Sequence, residues 1–430
     1  MIHNSFFNRL HRIAFFLLLA LLPTQLGFHT WPSWALVLGR RVDYLSPTLY
    51  LTDILIFLII FFWFTNFISR IMKHELRIMA IIHNSLFIIL LFLFALLNIF
   101  FADSPMVALY KWAKVLEFGL LGVYIVKTKQ TIKRIIFPLT IGVLYSSVIA
   151  IAQFILQRSV GGPLWLLGER VFSNQTPGIA QFYFHQLWLR AYGTFPHPNV
   201  LGGYLAALLP LIIYQFTNSK KYFFVTAIVL GYVALLLTCS RSAWAAGGIA
   251  IAFALARIMN YESRIMKKLF VVSITAFILY SLFFILYSTD ESGVVRRELN
   301  ASAILMWTKH PLIGVGLGNY LTELPNYLVS RQIYFLQPVH NIYLLVLSEA
   351  GLIGVSIISY FSYFYLKHEL RIMNHGKNKT QPSFIIHYSL FIILLLGLVD
   401  HYPLTLQQGQ LLLTLLLAMC VIQLPHADTD

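Results

Sequence analysis

Four arginines and one histidine stand where residue type and spacing suggest chemistry. Arg190 opens the run Arg-Ala-Tyr-Gly-Thr-Phe-Pro-His-Pro-Asn199, and Arg241 lies in Thr238-Cys-Ser-Arg-Ser-Ala-Trp244. Arg296 and Arg297 are adjacent in the stretch Val295–Lys309, and Pro338-Val-His340-Asn341 follows after His310-Pro-Leu-Ile-Gly. Glu349 and the pair Asp400-His401 complete the polar set. A guanidinium keeps its charge and pairs phosphate oxygens through parallel N–H donors. An imidazole takes up and returns a proton near neutral pH. Together they suit a diphosphate leaving group whose departure accompanies deprotonation of an incoming hydroxyl. The long segments carrying these residues contain no DxD, no HExxH and no other cluster at metal-ligand spacing. Arginines would then have to stabilise the leaving group, and no metal or other cofactor is expected.

These residues belong to a chain of 430, of which 59% are hydrophobic and 11% charged, against roughly 25% charged in soluble domains. A water-soluble fold of this length needs more polar surface than that. A cytosolic enzyme, a nucleic-acid-binding protein and a disordered regulator are excluded. A lipid bilayer must cover most of the surface, and the spans must be helices that satisfy their own backbone. At about 20 residues per span, the hydropathy predicts an all-α polytopic membrane protein of about 12 transmembrane helices. They are expected near 13–30, 49–68, 85–101, 105–126, 132–157, 198–216, 221–238, 242–256, 268–287, 341–366, 383–399 and 404–422. The first follows Arg9 and Arg12 without a clear cleavage site and reads as a retained signal anchor.

With the amino terminus cytoplasmic, that side holds 19 of the 31 Lys and Arg residues, the other side 10, and Lys111 and Lys114 lie inside a span. This asymmetry orients membrane proteins. Both termini are then cytoplasmic, and the net charge of +15 reports topology, with no nucleic-acid partner. Two external segments, about 158–199 and 288–340, exceed the usual loop length. They divide the chain into amino-terminal helices 1–5 (1–157) and a core with both loops (158–430). Within the second loop, Val295–Lys309 has helical periodicity, with Leu299, Ala303, Met306 and Trp307 forming an apolar face expected at the membrane interface. The duplicated KHELRIM (73–79, 367–373) and SLFIIL (85–90, 389–394) read as copied cytoplasmic turns without chemistry. Cys239 and Cys420 cannot build a disulfide framework or a cysteine metal site.

Each polar residue also has a structural reading. Arg190, Arg296 and Arg331 could snorkel to headgroups. Asn199 and Asn341 are natural helix caps. His197 and His310, beside prolines, suit loop architecture. Gly314, Gly316 and Gly318 follow no strand, so they supply turn conformations and not a dinucleotide site. Glu349, two turns into a span, must be paired or face a cavity. Lys111, Lys114 and Glu117 share a helix face at three-residue steps and suit a salt-bridge ladder.

In four motifs the chain resembles the O-antigen ligase/polymerase family of bacterial inner-membrane proteins. They are RAYGTFPHPNVLGGYLA (190–206), TCSRSAW (238–244), VRRELNASAILMWTKHPLIGVGLGNY (295–320) and PVHNIYLLVLSEAGLIG (338–354). Before them, only Asp53 near the start of the second span adds to the match. The resemblance implies a glycosyltransferase of the GT-C type whose periplasmic loop region contains short helices. It implies transfer of a glycan from an undecaprenyl-diphosphate carrier to a hydroxyl of lipid A-core or of a growing glycan, at the periplasmic face and without metal. It assigns His340 and Arg241 to catalysis and Arg190, Arg241, Arg296 and Arg297 to the diphosphate, with Asn341, Glu349 and His310 in support. The 288–340 loop is short for the family, which leaves acceptor choice open. The motifs report on the donor and do not separate a ligase, slightly favoured, from a polymerase. A flippase for the same lipid-linked sugars would need charges along its whole transit path, and intramembrane charges here are few.

Overall fold

A computed structural model describes residues 2–71, 79–258, 291–328, 336–374 and 381–422. The expected ninth span (268–287), Arg331 and most of the first KHELRIM copy lie outside them. Among the described residues the chain is mostly helical. Its helices are α1 (Ile2–Ala20), α2 (Leu51–Ile71), α3 (Met79–Phe100), α4 (Pro105–Lys127) and α5 (Ile132–Leu156). Then come α6 (Pro198–Ser219), α7 (Tyr222–Leu237), α8 (Arg241–Ile258), α9 (Glu291–Lys309) and α10 (Tyr320–Tyr327). The last are α11 (Ile342–Asn374), α12 (Gln381–Leu396), α13 (Tyr402–Thr405) and α14 (Gln407–Ile422). Three short antiparallel hairpins decorate the connections: β1 (Gly27–His29) with β4 (Thr48–Tyr50), β2 (Leu36–Val37) with β3 (Arg40–Arg41), and β5 (Gln181–Phe184) with β6 (Gln186–Leu189).

Among the described residues three helical stretches are long and apolar enough to cross a membrane: Ile132–Leu156, Pro198–Ser219 and Ile342–Tyr360. Five shorter apolar stretches lie in α2, α3, α7, α12 and α14. Composition and helices together make this a membrane protein. The first helix stops at Ala20, ten residues before the expected end of its span. Pro23 offers no N–H to extend the helix, and Gly27–His29 pairs with Thr48–Tyr50 instead.

The core forms around α6, 83% of whose most apolar window is buried. Small residues let neighbours approach closely, as in other membrane bundles. A Cβ on Gly202 would lie 2.7 Å from that of Ala243 in α8, and Gly203 packs against the Tyr402 ring. Val295, Leu299, Ala303 and Met306 of α9 bury themselves in a second cluster with Val107, Tyr320, Leu324 and Val339. The apolar face read in the sequence is thus spent against protein, while Ile304 and Leu305 are exposed.

A broken helix organises this second cluster. Gly351 in α11 has φ 60° and ψ −165°, a conformation open essentially only to glycine. The segment after His310 lies alongside the break and takes its hydrogen bonds. Leu352 and Ile353 donate to the carbonyls of Pro311 and Leu312, and Val315 and Gly316 donate to those of Ser348 and Glu349. Gly314, Gly316 and Gly318 all have positive φ there, so the glycines supply backbone freedom as the sequence implied. Asn98 of α3 locks the arrangement. Its Nδ2 donates to the Ile313 and Glu349 carbonyls at 2.9 and 3.0 Å, and its Oδ1 accepts from Leu317 N–H and Trp112 Nε1.

Candidate active site

At one end of the bundle four connections converge: the 190–199 segment, the α7–α8 turn, the start of α11, and the 397–405 turn between α12 and α14. Asp400 is their common point. Its Oδ2 accepts from Asn199 Nδ2 at 3.1 Å and its Oδ1 from the His401 backbone N–H at 2.9 Å. His340 Nδ1 lies 3.8 Å from the same Oδ1, an ion-pair distance when the ring is protonated and too long for a hydrogen bond. The His340 and His401 rings are 4.9 Å apart, and Tyr44 meets His401 edge-on at 5.3 Å. His401 Nδ1 shares a 2.6 Å hydrogen bond with the Thr405 hydroxyl.

Arg190 is built into this centre. Its Nε donates to the Thr238 carbonyl and its Nη2 to Asn199 Oδ1, both at 2.7 Å. Asn199 therefore bridges Arg190 to Asp400 instead of capping α6; the cap is His197, whose Nδ1 accepts from Asn199 N–H. Gln153 of α5 holds the segment in place. Its Oε1 accepts from the Tyr192 and Gly193 N–H groups, and its Nε2 donates to the Gly193 carbonyl and to Glu169. Arg296 reaches in from α9, where Nη1 donates to the Val399 carbonyl at 3.0 Å. Arg241, exposed, begins α8 beside Arg190, and its charge acts on it. The amino-terminal ends of α6 and α8 thus meet at Arg190, a placement that favours an anion.

The other sequence candidates divide. Asn341 is a helix cap: its Oδ1 accepts from Tyr343 and Leu344 N–H, and its Nδ2 donates to the Leu398 carbonyl. That bond ties His340 to the turn carrying Asp400. Glu349 is buried, accepts from Tyr320 N–H at 3.3 Å and faces Lys111, so its role is to hold the glycine turn. His310 is exposed at the end of α9 and is not drawn into the cluster. Arg297 stands next to Arg296 on α9. The expected ladder on α4 forms in part: Lys114 bridges Asp53 and Glu117, while Lys111 donates to the Tyr44 carbonyl at 2.7 Å.

Burial alone would raise the Asp400 carboxyl, but His340 opposite it and Arg296 outweigh that and hold it charged, below the usual carboxylate range. Burial, then the facing His340, pulls His401 down to about 3, and burial, then Arg190, pulls His197 down to about 4. Both imidazoles stay neutral at physiological pH. An unfolded histidine titrates near 6.5, so below that pH the unfolded chain binds protons that the folded chain refuses. Stability therefore falls as pH drops through this window, by up to about 1.4 kcal/mol per pH unit for each histidine. Detergent-solubilised protein is expected to melt lower at about pH 5 than at about pH 7. A melting temperature unchanged between them would contradict the buried neutral histidines.

His340, Asp400 and His401 each offer one ligand atom, all within 4.8 Å of one another, and could hold a metal ion. Local sequence spacing could not reveal this trio, because His340 comes from a different connection. The charges of Arg296 and Arg190 acting on Asp400 oppose a cation there and favour an anion.

An apolar cavity of about 1080 Å³ runs between α4, α11, α12 and α14. Tyr44, Pro338 and Pro403–Thr405, neighbours of the two histidines, line one part of it, and Lys127 and His387 another. Residues 200–359 match the family model described as O-antigen ligase. That stretch is similar to the O-antigen ligase family. The matched stretch holds Arg241, Arg296 and His340 but stops short of Asp400 and begins after Arg190. The cluster around Asp400 is therefore completed by residues on both sides of the matched stretch. Sequence reasoning named Asp400 and His401 in the polar set without giving them a role, read Asn199 only as a cap, and missed Gln153. The adjacency of Asp400 and His401 at a short turn was their one local signal. No curated protein matches the chain.

Proposed function

We propose that the protein transfers a glycan from an undecaprenyl-diphosphate carrier to a hydroxyl acceptor at the periplasmic face of a bacterial inner membrane. The observation that carries this is the His340–Asp400 pair flanked by Arg190 and Arg296, with its neighbours Tyr44, Pro338 and Pro403–Thr405 lining one part of the apolar cavity, within and beside the stretch that matches O-antigen ligase. The cavity suits the carrier's hydrocarbon, and the arginines suit its diphosphate. In this reading the acceptor oxygen attacks the anomeric carbon in line with the departing phosphate oxygen. His340 takes the hydroxyl proton as the new carbon–oxygen bond forms. The old carbon–oxygen bond breaks with its electron pair going to the diphosphate, whose charge Arg190, Arg241 and Arg296 stabilise. The anomeric configuration inverts, and no metal is required.

The chain would cross the membrane about 12 times, with both termini cytoplasmic, residues 1–157 as scaffold and 158–430 as the transfer core. The favoured acceptor is lipid A-core, making the enzyme a ligase; a growing glycan would make it a polymerase. The glycan inventory of a deletion strain tests this, with carrier-linked and surface-linked material sized separately. Long chains stranded on the carrier are expected. Single repeat units on carrier and surface would indicate a polymerase, and unchanged pools would overturn the transferase reading.

A further inference from the structure

The β5–β6 hairpin takes no part in the proposed transfer, yet Arg190 follows it directly. Phe182 pairs with Trp188 and Tyr183 with Leu187 across the two strands, so strand alternation places these pairs on opposite faces. The first pair stacks on Phe154, with ring centroids 6.2 and 5.8 Å away and planes within 15° of parallel. Phe154 lies in the last turn of α5, a helix long and apolar enough to cross a membrane. The stack therefore sets the hairpin at the level where that helix leaves the bilayer. Its other face and tip are bare: Tyr183 is 76% exposed, Phe184 65% and Leu187 58%.

Residues 171–189 contain no Lys, Arg, Asp or Glu. A hairpin standing in water would present this uncharged apolar surface at a hydration cost. The bare surface continues onto Ile155 at the end of α5 and Trp165 in the following turn, 72% and 55% exposed. Aromatic side chains at the ends of spans gather at the boundary between headgroups and acyl chains. We propose that the β5–β6 hairpin is an interfacial anchor embedded in the lipid bilayer beside α5, and that it holds Arg190 at headgroup depth. Two bonds transmit the hairpin's position: Leu189 N–H donates to Gln157 Oε1 at 2.7 Å, and Arg190 N–H to the Ala180 carbonyl at 3.2 Å. The anchoring stands on the hairpin alone; its consequence for Arg190 rests on the transferase reading above.

Spin labels on Phe184→Cys and Leu38→Cys test it in full-length protein reconstituted into phosphatidylcholine–phosphatidylglycerol vesicles. Leu38, exposed beside Arg40 and Arg41, is the water-facing control, and label on the unsubstituted protein sets the baseline from Cys239 and Cys420. The label at 184 is expected to relax more with oxygen, which partitions into acyl chains, than with a water-soluble nickel chelate. The label at 38 should show the inverse ratio. A nickel-dominated signal at 184 would place the hairpin in water and overturn the proposal. Protection from both reagents would mean cover by protein, a second copy included, and would overturn it equally. Should the transferase reading fail while label 184 reports acyl chains, the anchor stands and only its link to Arg190 falls.

Discussion

Transfer activity in a His340→Ala variant is expected to fall by about 10²–10⁴-fold at normal membrane abundance, and Asp400→Asn should lose most of the same factor. The carboxylate of Asp400 receives a donor at each oxygen, Asn199 Nδ2 at one and the His401 N–H at the other. An asparagine amide must turn its NH2 towards one of those donors, leaving a buried polar group unmatched at about 1–3 kcal/mol. It also removes the charge opposite His340 Nδ1, which would steady the imidazolium formed as the acceptor gives up its proton. Asparagine matches aspartate in shape, so a loss of activity without loss of abundance would come from the lost charge and the one unmatched hydrogen bond. Residues that act as one unit are non-additive in combination. The double variant should therefore be no slower than His340→Ala. Multiplying losses would make the two independent, and full activity in either single variant would remove the pair from the mechanism.

The sequence reading succeeded where a signal is local. The bounds of α4 and α5 follow from Pro105 at a helix start and from uninterrupted apolar runs, and the helices end within a residue of expectation. It failed at α1 because Leu21, Leu22 and Phe28 keep the hydropathy high past Pro23, where the backbone can no longer continue the helix. Arg190, Arg296 and His340 stood out by residue type, but beside a membrane the arginines could equally snorkel, and it was the motif resemblance that gave all three a role. Asp400 could not be connected to them. Its partner Asn199 is 201 residues distant in the chain, and Asn199 had a simpler local reading as a cap. Asn98 was hidden differently. It sits in an apolar run of α3 and serves a broken helix at Gly351 that sequence periodicity does not disclose.

Arg190→Lys should be almost as damaging as Arg190→Ala, each lowering kcat/KM for the lipid-diphosphate donor by about 10²–10³-fold. Charge alone would not predict this, because lysine keeps the charge. The fork of Arg190 spends Nε on the Thr238 carbonyl and one Nη2 hydrogen on Asn199 Oδ1. Those bonds fix the plane of the guanidinium and leave its remaining N–H donors for phosphate oxygens. An ammonium offers three donors from one atom; meeting the Thr238 carbonyl and Asn199 leaves it a single one, in no fixed plane. An ammonium that turns to phosphate instead of Asn199 frees the amide that donates to Asp400, so the lysine variant should then disturb the His340 side of the centre as well. Kinetics on purified enzyme with a defined carrier-linked glycan, with Asn199→Ala alongside, separate these effects. Asn199→Ala should show the His340-side loss without losing the Arg190 charge. A lysine variant with undiminished kcat/KM would reduce Arg190 to a strut of its loop and leave the diphosphate to Arg241 and Arg296.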